Sequence, residues 1–267
     1  MTLFLLYKWS FAVAFLSALI LPYIGSHLVP RKKTLEIFVL CQLALVGNLL
    51  ARLAFDEDYE FWHGVSLSAL FYVVGQRFFV FGQKRISWHP EQYIALYVAL
   101  LCGQFLLIGL FPGLDAHTNT GFFGDIVTAT DSENIFLVIV LSIWLYLNRL
   151  YRMQTSKNTL EICVFGHTKN DYREDLLFVV PVVLCLYGLG FIYTIGFLSI
   201  GFVFTQYFSG PQSKSLNLVL FLAVLSALLG LSMSLIMEQF STTPTQVVLF
   251  GGFTVVCSSL HVLWFKA

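Results

Sequence analysis

The chain has 267 residues, and its 15 Lys and Arg balance 15 Asp and Glu. Charged residues make up 11% of it, less than half the roughly 25% of a soluble domain, while 58% is hydrophobic and mean hydropathy is +0.80. That is more apolar surface than one globule of this size can hide, so a soluble enzyme, a disordered chain and a nucleic-acid binder are excluded, the last because it would need a basic surplus.

The expectation is therefore an all-α polytopic helical membrane protein forming a single transmembrane domain over residues 1–267. A span needs about 20 mostly apolar residues. In chain order the candidates are Trp9–Val29, Leu35–Phe55, Phe61–Phe81, Tyr93–Phe111, Ile135–Tyr151, Leu176–Phe191, Ile192–Phe208, Leu216–Met237 and Val247–Phe265. The first is read as a membrane span and not as a removable signal, because no small-residue cleavage site and polar mature domain follow it. The sixth and seventh run together through Gly188, Gly190, Gly196 and Gly201, as two short spans or as one span with a broken segment. Eight or nine spans are expected.

Loop charge predicts orientation, since Lys and Arg concentrate on the cytoplasmic side. Arg31, Lys32 and Lys33 follow span one, Lys84 and Arg85 follow span three, and Arg149, Arg152, Lys157, Lys169 and Arg173 follow span five. The alternate loops carry acids instead: Asp56, Glu57, Asp58 and Glu60 after span two, then Asp115, Asp125, Asp131 and Glu133 after span four. This places the N-terminus outside a cytoplasmic inner membrane and the Arg149–Asp175 stretch inside. The external loop Pro112–Asn134 suits a partly folded cap. Within Arg152–Asp175, Leu160, Cys163 and Val164 predict a short amphipathic helix lying on the membrane face, either an ordinary interfacial helix or a docking helix for a cytoplasmic partner.

Chemistry-bearing motifs are sparse. The chain has no GxSxG, HExxH or GxxxxGK[ST], so no catalytic site and no ATP-binding loop are expected. Four of the five cysteines (Cys41, Cys102, Cys185, Cys257) sit in apolar runs and read as small hydrophobes, and Cys163 lies in a polar stretch. His27, His63, His89, His117, His167 and His261 fall in separate segments without the i, i+3 or i+4 partners of a helical metal site. His27, His89, His117 and His167 lie near loops, and His261 reads as a packed or interfacial side chain. Glu36, Arg52, Arg77 and Glu238 lie near span ends, where the arginines can snorkel to the interface.

Several segments in order resemble a known family. Pro22–Leu35 followed by Ala44–Ala51 resembles the start of zinc/manganese-type ABC transporter permeases. Phe123-Gly124-Asp125-Ile126 resembles an element preceding their fifth span. Asn158–Gly166 is spaced like the segment that couples to the ATPase, and Ala227–Ser232 with Thr243–Leu249 matches the last two spans in kind. The resemblance implies a permease subunit without bond chemistry or a cofactor of its own. Its implied partners are a cytoplasmic ATP-binding subunit, an extracytoplasmic metal-binding protein, a second permease copy and the lipid bilayer; no nucleic acid is implied. ATP hydrolysis would reside in the partner chain, and zinc or manganese would be the imported cargo.

The departures are chemical. With Gly47 aligned to the family glycine, Phe38 stands where the metal-facing Asp would be, Gln42 where the His would be, and Val46 at the preceding Pro. Phe has no lone pair, and an amide oxygen is a weak zinc ligand. In the coupling segment Asn158 replaces Asp and Leu160 replaces Glu, leaving Glu161 and Gly166 as the other candidates, and Tyr207 stands where a Pro follows the broken span. The remaining path candidates are Cys41, Gln42 and, nearer the cytoplasmic end, Glu36, with no residue assigned to a metal. The alternatives are a diverged permease moving a non-metal substrate and a membrane component with a structural or regulatory role; a membrane enzyme ranks behind both.

Overall fold

Hydrocarbon offers no hydrogen bonds, so an apolar chain in a bilayer satisfies its backbone within each segment, as helix. A computed structural model describes residues 6–31, 33–55, 60–83, 89–114, 126–127, 129–165, 172–205, 212–237 and 241–265. Among these residues nine α-helices occur: α1 (Lys8–Leu28), α2 (Thr34–Phe55), α3 (Phe61–Gln83), α4 (Pro90–Leu110), α5 (Asp131–Phe165), α6 (Tyr172–Leu189), α7 (Phe191–Thr205), α8 (Gln212–Ile236) and α9 (Thr242–Phe265), with one 3-10 turn at Pro112–Leu114. Seven are long and apolar enough to cross a membrane, and α6 and α7 contribute shorter apolar stretches, Leu177–Leu189 and Phe191–Ile200. The protein is an all-helical, multi-pass membrane protein.

Helix α1 lies at the centre. Val13, Ala14, Ser17, Ala18, Ile20, Leu21 and Ile24 are fully buried, and α5, α6, α7 and α8 all pack on it. Its direction matches that of α5. Ser10, near the start of α1, donates to the Ile126 carbonyl at 3.0 Å and receives the Asn134 amide at 3.4 Å, whereas His27 and Arg31 meet Thr159 near the end of α5. Phe61 and Trp62 at the start of α3 pack edge-on against Phe136, so the acidic Glu60, Asp131 and Glu133 gather at one end of the bundle. Arg31, Arg149, Arg152 and Lys157 gather at the other.

Local sequence explains the boundaries. A capping box starts α5: the Thr130 amide donates to the Glu133 carboxylate at 3.0 Å, and the Glu133 amide donates to the Thr130 hydroxyl at 3.4 Å. No Gly or Pro occurs between Gly124 and Gly166, and the helix runs 35 residues, about 52 Å, well beyond the roughly 30 Å of hydrocarbon. The expected separate interfacial helix around Leu160 is therefore a continuation of α5, because nothing between Tyr151 and Phe165 breaks the backbone.

The sixth and seventh segments are two helices divided at Gly190, whose φ of 86° suits only a residue without Cβ. Its amide closes α6 on the Leu186 carbonyl, while its own carbonyl receives the Thr194 amide and hydroxyl in the first turn of α7. Thr243 of α9 donates to the Leu189 carbonyl, so the break is capped from two sides. Helix α4 is the peripheral element, with Gln104 its only fully buried residue.

Candidate transport path and docking segment

Helix α2 carries the path candidates. Glu36, Cys41 and Gln42 are all buried, and Phe38 is half-buried. At about 100° per residue the three candidates leave the helix in directions more than about 90° apart, with Glu36 about 9 Å along the axis from Gln42. The helix thus spreads them around its circumference and does not bring them to one point.

Gln42 meets another element instead. Its side-chain amide donates to the Gln104 Oε1 of α4 at 2.7 Å, and the Gln104 amide returns a bond to the Gln42 backbone carbonyl at 3.2 Å. Both side chains are essentially inaccessible, and the Gln42 Oε1 has no hydrogen-bond partner among the described residues. A buried amide costs free energy unless it is paired, so α4, otherwise apolar, is anchored to α2 at its one buried polar residue. Gly47, one and a half turns further along α2, faces α3: a Cβ there would lie 2.7 Å from the Leu67 carbonyl oxygen. This close approach gives the Gly47 of the family resemblance a packing reason. Among the described residues, no group of three or more His, Cys, Asp or Glu could hold a metal ion.

The docking candidates lie toward the C-terminal end of the 35-residue α5. Thr155 and Thr159 are buried, Asn158 and Ile162 are half-buried, and all four share one face at helical spacing. The opposite face carries Met153, Leu160 and Val164, which are 88%, 63% and 63% exposed. Lys157, 76% exposed, falls within this stripe between Met153 and Leu160 and pairs with Glu161 at its side as an i, i+4 ion pair at 3.8 Å. Gly166 lies outside the described residues, as do Tyr207 and the Phe123–Asp125 part of the external motif.

The face of α5 turned inward was missed by sequence reasoning. His27 lies in the last turn of α1, beside the loop as expected, but its side chain is turned inward. It is buried at the junction of α1, α5 and α6, with Tyr23 edge-on at 4.9 Å and the Phe178 ring stacked at 6.1 Å. Its Nδ1 lies 2.9 Å from the Thr159 hydroxyl, and the Arg31 guanidinium donates to the same oxygen at 2.6 Å. The spacing of His27 and Arg31, one helical turn apart, was the available signal. For Gln104 the signal was a lone amide in an otherwise apolar span.

The class of protein is fixed by this architecture as a polytopic helical membrane protein whose described residues put basic side chains at one end and acidic ones at the other. No protein-family model matches the sequence, and no curated protein matches it. Among solved structures the fold is similar to PsaBC from Streptococcus pneumoniae in complex with Fab, with a TM-score of 0.73 at 14% identity, covering 93% of this chain and 89% of that one. At that identity the likeness establishes a shared fold.

Proposed function

We propose that this chain is the membrane-spanning permease subunit of an ABC-type transporter, moved by a separate ATP-binding subunit that docks on the outer stripe of the α5 extension. The observation that carries the reading is that stripe: a 35-residue helix, longer than a bilayer crossing requires, with Thr155 and Thr159 buried on one face and Met153, Leu160 and Val164 exposed around Lys157 on the other. Exposed apolar side chains grouped around a charge favour a protein partner. The ordered motifs that resemble zinc/manganese-type permeases, and the fold shared with PsaBC over about nine-tenths of both chains, support the same reading. By the positive-inside rule the Arg31, Arg152 and Lys157 end faces the cytoplasm and the N-terminus lies outside, in an inner membrane. A second permease copy and an extracytoplasmic metal-binding protein complete the proposed assembly.

Zinc or manganese import is the cargo that the resemblance suggests. The Gln42–Gln104 pair favours a second reading, a permease for a cargo other than a bare divalent cation, because Phe38 stands at the expected carboxylate and the amide at the expected imidazole, Gln42, is taken up by Gln104. Uptake of radioactive zinc and manganese by cells making the complex separates the two. Transport that falls with Cys41→Ala or Gln42→Ala supports metal passage along α2. Uptake indifferent to both removes α2 from the path, and no metal uptake by the wild type leaves the second reading.

A further inference from the structure

On the buried face of α5, behind the docking stripe, the Thr159 hydroxyl gathers side chains from the end of α1. Thr159 sits on the buried face of the same turn whose outer face carries Leu160, and it makes three polar contacts. Its proton goes to the Thr155 carbonyl at 2.9 Å, as the preceding-turn bond of a helical Thr does. The two other neighbours must then donate to it. Arg31 does so at 2.6 Å, and His27 does so through Nδ1 at 2.9 Å, which assigns the Nδ1–H tautomer to a neutral ring. Among the described residues the buried His27 Nε2 has no hydrogen-bond partner, and Thr159 is the polar anchor that orients this ring. The oriented ring stacks on Phe178 of α6 and packs against Tyr23 of α1. Arg31 also reaches the Thr155 carbonyl at 3.5 Å, so the Thr159 oxygen shares the hold on the end of α1 with backbone but is what ties it to the ring contact on α6.

We infer that Thr159 is the positioning residue that couples the docking turn of α5 to α1 and α6, so that displacement of the outer stripe is delivered into the bundle. The inference rests on the docking reading above and adds the route by which docking is felt. The outer end of the same helix pair is fastened separately by Ser10, Ile126 and Asn134, so α1 and α5 are held at both ends and move as a pair. A Thr159→Val side chain keeps the shape of Thr and removes the oxygen; Thr159→Ser keeps the oxygen.

The test uses the full-length chain in lipid nanodiscs, with and without its ATP-binding subunit. Without the subunit, amide exchange over residues 154–165 should quicken about tenfold in Thr159→Val and stay within about twofold of wild type in Thr159→Ser. With the subunit, Thr159→Val should still capture it while stimulated ATP hydrolysis falls about tenfold, a split that general unfolding would not produce. If Thr159→Val does not accumulate, His27→Phe is read in its place, since it keeps a ring against Phe178 and removes the Nδ1 donor. Exchange in the Val variant within about twofold of wild type, or unchanged stimulation, overturns the inference. Failure of the wild type to capture any ATP-binding subunit overturns the docking reading and the coupling role with it, while the exchange arm alone decides whether Thr159 holds the helix.

Discussion

Two seams of this molecule are built from opposite chemistry. Between α2 and α4, Gln42, which stands where the family resemblance expects an imidazole, closes on the amide of Gln104 and on backbone, and Phe38 stands at the expected carboxylate. Between α1 and α5, at the basic end, an arginine, a histidine and two threonines form a polar junction backed by aromatic rings, and the far side of the helix is left apolar and open. The first seam has exchanged ligand chemistry for packing. The second keeps a surface turned outward and a connection turned inward.

The largest effect is expected at the second seam. Leu160→Asp places a charge in the centre of the docking stripe and should lower capture of the ATP-binding subunit, measured by co-purification, about tenfold or more without changing the melting temperature of the isolated chain. Equal capture would reduce the stripe to lipid- or water-facing surface and dissolve the contrast between the seams.

At the first seam the expected effect is on stability. Gln104→Leu leaves the buried Gln42 amide without its partner and should destabilise the chain by about 1–3 kcal/mol in reversible detergent unfolding. The double variant Gln42→Leu with Gln104→Leu should recover most of that loss, because a hydrogen-bonded pair inside a membrane is worth only about 0.6 kcal/mol on average. If the double variant is no more stable than the single one, the pair contributes more than packing, and a polar path along α2 regains support.

A smaller effect is expected at the outer end of the α1–α5 pair. Ser10→Ala removes the bond to Ile126 and one contact of Asn134, and should cost about 0.6 kcal/mol, with subunit capture and stimulated hydrolysis unchanged. A loss of stimulation comparable to that of Thr159→Val would spread the coupling along the whole pair and remove the distinction between its two ends.

Much of the architecture was legible in the sequence because hydrocarbon permits so few backbone solutions. The nine apolar runs correspond to the nine helices, and the glycines after span six mark the break at Gly190. The reach of α5 was legible too, in the stretch without Gly or Pro up to Gly166, but an amphipathic local pattern around Leu160 suggested a separate helix. Periodicity reports which face is apolar; it does not report whether the axis continues from the preceding span. The replacement of a ligand position by Gln42 could be read from the resemblance. Its partner Gln104 could not, since the two lie 62 residues apart and only packing joins them. The inward turn of His27 was missed for the same reason: the Thr159 that anchors it is 132 residues away.

The central claim, that the outer face of the α5 extension receives an ATP-binding subunit, is tested most directly by site-specific photo-crosslinking in the assembled complex. A photoreactive residue at Leu160 is compared with one at Leu106 on α4; the two positions are 63% and 69% exposed, so access alone does not distinguish them. The account predicts a crosslink to the ATP-binding subunit from position 160 and only lipid adducts from position 106. Lipid adducts at both, or a subunit crosslink from 106 and none from 160, would contradict it.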